Sequence, residues 1–257
     1  MRRSPAVVLL SLLACLALPD AARSETLRLR ADSWMPYNGD PASELPGYAI
    51  EIARAIFGPR NIELDYAHLP WGDALKAAAA GEIDAVVGAN RDEALGLVVP
   101  QEPIGFPRIG LFVRRDSTAR YDNVPALAKH KLGVILDYKY WTALDAYIDR
   151  SNAPQVAKFA GDQPLEDALA ALHAGEIDLL AETTSVFAWT VKSAGHSAGT
   201  FRLVYLHEGD PVYFAFTPGA RGERHAALFD EGLRALRRSG ALAKILARYG
   251  QPDWAQP

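Results

Sequence analysis

Apolar residues recur along this chain with two different periods, and the switches between them mark out its elements. At Leu27-Arg28-Leu29-Arg30-Ala31 they alternate with polar ones, the pattern of a half-buried strand. Tyr48, Ile52 and Ile56, joined by Ala49 and Ala53, fall at helical spacing with Glu51 and Arg54 on the opposite face, and Gly58-Pro59 stops that helix. Ile62, Leu64 and Tyr66 alternate again. The apolar runs at 110–113 and 132–136 read as buried strands, and 201–206 and 212–216 as two more. Further helices are predicted through Leu144 and Ile148, from Phe187 to Val191, and around 228–236 and 242–249, the last two parted by Ser239-Gly240.

One stretch occurs twice. Asp73 to Asp84 reads DALKAAAAGEID and Asp167 to Asp178 reads DALAALHAGEID, nine identities in twelve positions without a gap. In each copy an Ala/Leu run of high helix propensity precedes Gly81 or Gly175, placed where a helix end takes a left-handed residue. An Asp then opens a short apolar run, AVVGA or LLAET, which reads as a buried strand. A helix feeding a buried strand is half of an α/β unit, and open α/β sheets collect ligands beyond the carboxyl ends of their strands. The repeat therefore predicts an α/β chain of two similar lobes, each a mostly parallel sheet flanked by helices, with two crossover strands between them. Residues 25–113 and 208–257 are assigned to the first lobe and 114–207 to the second. Asp84 and Asp178, at the far ends of their strands, are expected to be structural.

Composition narrows the class. The chain is 49% hydrophobic and 23% charged with a net charge of −4, and it has no Lys/Arg run, which speaks against nucleic acid as a partner. Arg2 and Arg3 precede an apolar run from Ala6 to Leu18 and then Ala22-Arg23-Ser24, so residues 1–24 read as a secretory signal peptide cleaved after Ala22 or Ser24. That run is shorter than the ~20 residues of a membrane span. Loss of Arg2, Arg3, Arg23 and Asp20 takes the net charge from −4 to −6. The single cysteine, Cys15, lies inside this segment in a context faintly like a lipoprotein box; the mature chain otherwise has no thiol. Six histidines show no pair at metal-ligand spacing, and no phosphate loop or nucleophile elbow is present. No cofactor is implied.

From about Leu27 to Tyr249 the chain resembles the amino-acid-type (family 3) periplasmic solute-binding proteins of ABC transporters. The resemblance rests on Met35-Pro36-Tyr37 after the first strand, Gly47-Tyr48 with Glu51, Pro70-Trp71, both Gly-Glu-Ile-Asp segments, Glu102-Pro103, and the ending from Phe229-Asp230-Glu231-Gly232 through Gly240-Ala241-Leu242 to Arg248-Tyr249. It implies the type II periplasmic-binding-protein fold, a monomer in the periplasm, a small-molecule ligand and a membrane permease as partner. The chain departs from the family where α-amino acids are held. Arg91-Asp92-Glu93-Ala94-Leu95 replaces a Thr-Pro-Glu-Arg-like segment and leaves no Arg at its usual place. Thr183, beside Glu182, stands where an Asp meets the ammonium group, and Asp137-Tyr138-Lys139-Tyr140 replaces a Gly-Thr-Thr-like turn.

Candidate ligand contacts follow from the strand ends. Arg91 would hold a carboxylate by two parallel hydrogen bonds, or else pair with Asp92 or Glu93. Glu182 would meet a cationic group, or else pair with Lys139. Trp34, Tyr37 and Trp71 from one lobe and Tyr138 and Tyr140 from the other would form aromatic walls, with Trp141 more suited to the core. Asn90, Thr183 and Lys139 would supply orienting polar contacts. The function expected is capture of a small polar, amino-acid-like solute by hinge closure and delivery to an ABC-type permease, with no bond broken. Two alternatives stand beside it: a periplasmic cyclohexadienyl or prephenate dehydratase-like enzyme with Glu182 as its acid, and a ligand-sensing partner of a membrane receptor.

Overall fold

The computed structural model describes residues 24–150 and 155–255. The leader segment, with Cys15 and both cleavage positions, lies outside the described residues apart from Ser24.

The alternation at the start of the chain forms β1 (Glu25–Ala31). Leu27, Leu29 and Ala31 are wholly buried, while Arg28 and Arg30 face out and pair with Asp84 and Asp65. Helix α1 (Tyr48–Phe57) buries the predicted stripe and passes into a 3-10 turn at Gly58–Arg60. Next come β2 (Ile62–His68), α2 (Trp71–Ala80) and β3 (Ala85–Ala89). Beyond β4 (Arg108–Arg114) lie β5 (Leu132–Ile135), α3 (Thr142–Arg150), β6 (Val156–Phe159), α4 (Pro164–Ala174), β7 (Leu179–Thr183), α5 (Thr184–Ser193) and β8 (Phe201–Glu208). The chain closes with β9 (Tyr213–Phe216), α6 (Ala220–Arg238) and α7 (Ala241–Arg248).

These strands make two sheets, ordered β2-β1-β3-β9 and β6-β5-β7-β4-β8. In the first, β1 runs parallel to β2 and β3, and β9 is antiparallel. In the second, β5 is parallel to β6 and β7, while β4 pairs antiparallel with β7 and β8. The expected assignment put residues 108–113 with the first lobe. Strand β4 instead lies inside the second sheet, because its apolar run is buried between β7 and β8. The chain therefore crosses between sheets just before β4 and just after β8. There the two crossing segments run side by side: Ile104 N–H donates to Val212 O (2.8 Å), Val212 N–H to Gly105 O (3.0 Å) and Gly209 N–H to Pro107 O (3.0 Å). Strand β6 was not foreseen; its four residues carry Lys158 and form an edge, too short and too polar to show a period.

The carboxyl-terminal helices return to the first sheet. Helix α6 meets α1 so closely that a Cβ on Gly232 would fall 2.5 Å from Ile56. The Tyr249 hydroxyl donates to Glu51 and accepts from Gly47 N–H (3.1 Å), tying the end of α7 to the start of α1.

The two repeat copies fold alike. Gly81 (φ 76°) and Gly175 (φ 79°) end α2 and α4 in the left-handed region, each donating its N–H back into the last helical turn. Asp84 accepts from Arg28 N–H and Asp178 from Lys131 N–H, both at 2.8 Å, so each repeated aspartate pins the neighbouring strand of its own sheet.

Candidate cleft between the sheets

The parallel strands of both sheets end at one gap. Asp32 and Trp34 follow β1, and Gly88 and Asn90 stand at the end of β3. Tyr138, Lys139 and Tyr140 follow β5, and Glu182 and Thr183 close β7; all of them line the gap. Trp71, at the first turn of α2, and Glu93 complete one wall, and the crossing segments supply Pro107, Gly209, Asp210 and Val212. Bonds cross the gap. The Tyr138 hydroxyl donates to Asp32 Oδ2 (2.7 Å), and Trp34 Nε1–H reaches Glu182 Oε1 (3.4 Å). The Asp137 carboxylate lies against Gly72, where a Cβ would fall 2.3 Å from its Oδ2. Between these walls lies a cavity of about 60 Å³.

Local contacts hold each group in place. Trp34 stacks on Tyr37 (centroids 4.1 Å apart) and lies over Gly88, whose φ of 102° and missing Cβ admit the ring. Tyr140 turns its hydroxyl away to accept from Ile135 N–H (2.8 Å), leaving its ring on the cleft. Asn90 uses Oδ1 to accept from Asp92 and Glu93 N–H, both at 2.9 Å, an Asx turn that swings Glu93 back toward the gap. Glu93 then accepts from Trp71 Nε1–H and Asn90 N–H, each at 3.0 Å.

The acidic groups are unusual in their protonation. Glu182 is 2% exposed; its Oε1 accepts from Thr183 N–H (2.6 Å), and its buried Oε2 has no hydrogen-bond partner among the described residues. Burial, reinforced by the charge of Asp32, pushes its pKa up to about 8. Burial likewise takes Asp32 to about 7 against the hydrogen bond from Tyr138. Glu93 also rises to about 7, burial outweighing the bonds from Asn90 and Trp71.

Of the candidates named from sequence, Trp34, Trp71, Asn90, Tyr138, Lys139, Tyr140, Glu182 and Thr183 come together here. Tyr37 sits one layer back, buried behind Trp34 against Tyr48. Arg91 lies elsewhere: its guanidinium covers the Tyr213 ring at 4.6 Å and donates to Pro100 O (3.4 Å), so it meets neither the gap nor the expected partners Asp92 and Glu93. Trp141 packs against Tyr205 and His207, outside the cleft. Sequence reasoning passed over Asp32, Glu93 and Asp210. Asp32 was within reach of the rule that found Asn90, since it directly follows β1; Glu93 depends on the Asx turn. Among the described residues no group of three or more His, Cys, Asp or Glu is placed to hold a metal ion.

The family model for bacterial extracellular solute-binding proteins, family 3, matches residues 30–252. No curated protein matches the chain in sequence. Among solved structures, a histidine kinase sensor domain with similarity to periplasmic binding proteins has a TM-score of 0.74 at 21% identity, covering 90% of this chain and 99% of that one. An ancestral arginine-binding protein bound to arginine has a TM-score of 0.74 at 18% identity, covering 89% and 99%. An ancestral amino-acid-binding protein, a precursor of cyclohexadienyl dehydratase, has a TM-score of 0.69 at 16% identity, covering 87% and 94%. At such identities the likeness carries the fold.

Proposed function

Because the chain belongs to the bacterial extracellular solute-binding proteins, family 3, we propose that it captures a small polar organic solute outside the cytoplasm and hands it to a membrane permease. The observation that carries this reading is the cleft itself. Its walls come from both sheets, its lining sets four aromatic side chains among seven polar or charged ones, and bonds such as Tyr138 to Asp32 form only when the walls meet. The paired segments around 104–107 and 209–212 are the natural hinge. A solute touching Trp34, Trp71 and Asn90 on one side and Tyr140, Glu182 and Thr183 on the other binds the closed form better than the open one, and that difference drives closure. Glu182, Asn90, Thr183 and Lys139 orient the solute, and the rings enclose it.

Small-angle scattering and thermal melting against a library of amino acids, amines and organic acids test the reading. Expected are a raised melting temperature and a reduced radius of gyration with one chemical class. If no compound of any charge produces either change, capture is not the function.

The protonated Glu182 favours a second reading, an enzyme of the dehydratase kind, since a general acid must hold its proton near neutral pH. Turnover of a prephenate-type acid would establish it, and recovery of the acid unchanged after long incubation removes it. A receptor-sensing role shares the same cleft and differs only in what the closed form docks against.

A further inference from the structure

The charges around the cleft point to the chemistry of its solute, on the premise that this gap is the capture site proposed above. Carboxyl groups reach it from four separate places: Asp32 beyond β1, Glu93 beyond β3, Glu182 in β7 and Asp210 at the hinge. Against them stands one basic side chain among the described lining residues, Lys139, which is exposed at the rim. Arg91, the residue best suited to clamp a carboxylate, is held on Tyr213. An anionic solute would enter a partly dry gap lined by carboxyl groups, which receive it only while they keep their protons, and would find no guanidinium fork among the described lining residues. A cation would find the opposite. Glu182 Oε2 is a buried acceptor without a partner among the described residues, and the aromatic rings of Trp71, Tyr138 and Tyr140 on the same gap suit positive charge.

We propose that the cleft selects a compact organic cation, a primary ammonium or guanidinium on a small apolar body that needs no carboxylate, with Glu182 Oε2 as its buried acceptor and Asp32 as second anchor. Binding is then coupled to proton release. The cation takes the place of the proton on Glu182, and that proton leaves to solvent. The titratable and charged groups facing Glu182 are Asp32 beyond β1, Tyr37 behind Trp34, and Tyr138 and Tyr140 beyond β5, with Lys139, Glu93 and Asp210 around the same gap. The raised pKa values of Glu182, about 8, and Asp32, about 7, agree with this coupling.

Agmatine and arginine make the deciding pair, since they differ by a carboxylate, with putrescine, glutamate and succinate as further probes. Isothermal titration calorimetry of the whole mature chain is expected to show agmatine or putrescine binding at least tenfold more tightly than arginine, and glutamate and succinate not at all. Affinity should rise between pH 6 and 8.5, and the heat at pH 7 should vary with the ionisation enthalpy of the buffer as protons leave. Glu182→Gln should weaken the cation at least tenfold and reduce the buffer dependence to what Asp32 contributes; Asp32→Asn is the second variant if the first melts early. Tighter binding of arginine, glutamate or succinate than of agmatine and putrescine overturns the inference while leaving solute capture intact. So does turnover of a prephenate-type acid. Silence from every compound in the wider library overturns both.

Discussion

Glu182 and Asp84 are both carboxyls with almost no exposure, yet their surroundings drive them in opposite directions. Burial alone would raise Asp84, but the hydrogen bonds from the Arg28 backbone and guanidinium and the charge of Arg221 outweigh it and lower its pKa. Glu182 meets two N–H donors on one oxygen and no cation among the described residues, so burial prevails. The signs follow from linkage. The stability Asp84 contributes is present above the unfolded carboxylate value and is lost as pH falls through its lowered one. Glu182 binds its proton more tightly folded than unfolded, so native stability falls as pH rises from about 4.5 toward 8. The unliganded protein should therefore melt at lower temperature at pH 8 than at pH 5.5. Glu182→Gln should flatten that decline and be more stable than wild type at pH 8 by roughly 1–3 kcal/mol, one pKa unit being about 1.4 kcal/mol. Scanning calorimetry across that range decides it. An unchanged slope in the variant would place the titration on other groups.

At the scale of elements, the repeat is the most legible part of the chain because each of its signals is local. A left-handed glycine follows an Ala-rich helix, and an Asp opens the next strand; the same sequence spacing gives the same helix end in both copies. Gly175→Ala and Gly81→Ala should each cost about 1 kcal/mol in urea unfolding through the strain of a Cβ at positive φ. Both sites lie at the end of the sheet away from the cleft, so solute affinity should not change. Loss of solute binding without loss of stability would contradict that placement. Strands β4 and β6 were less legible for a physical reason. A doubly buried run such as 109–113 carries no mark of which sheet it joins, and a four-residue edge strand buries too little to impose a period.

At the scale of the molecule, closure is a meeting of surfaces far apart in sequence. Gly72 and Asp137 approach across the gap so closely that a Cβ on Gly72 would lie 3.4 Å from that of Asp137, near the separation of disulfide-bonded cysteines, about 3.5–4.5 Å. With Gly72→Cys and Asp137→Cys together, oxidation should lock the cleft shut. The oxidised protein is expected to exchange solute at least tenfold more slowly than the reduced form, measured by dissociation of a labelled solute with and without reductant. Equal exchange rates would mean the solute leaves by another route than opening of the lobes.

Periodicity, the paired Gly-Glu-Ile-Asp segments and the strand-end rule were enough to determine, from sequence alone, two α/β halves with Asn90, Glu182 and Thr183 at facing tips, since each depends on residues within one helix-strand unit. Tertiary structure alone decided which charged groups meet. Asp32 and Tyr138 are 106 residues apart and Trp34 and Glu182 are 148 apart, so no local spacing records their approach. Arg91 turned to Tyr213 for the same reason: a side chain on an exposed turn goes to whichever distant surface the fold brings within its reach, and here that surface was an aromatic ring beyond the hinge.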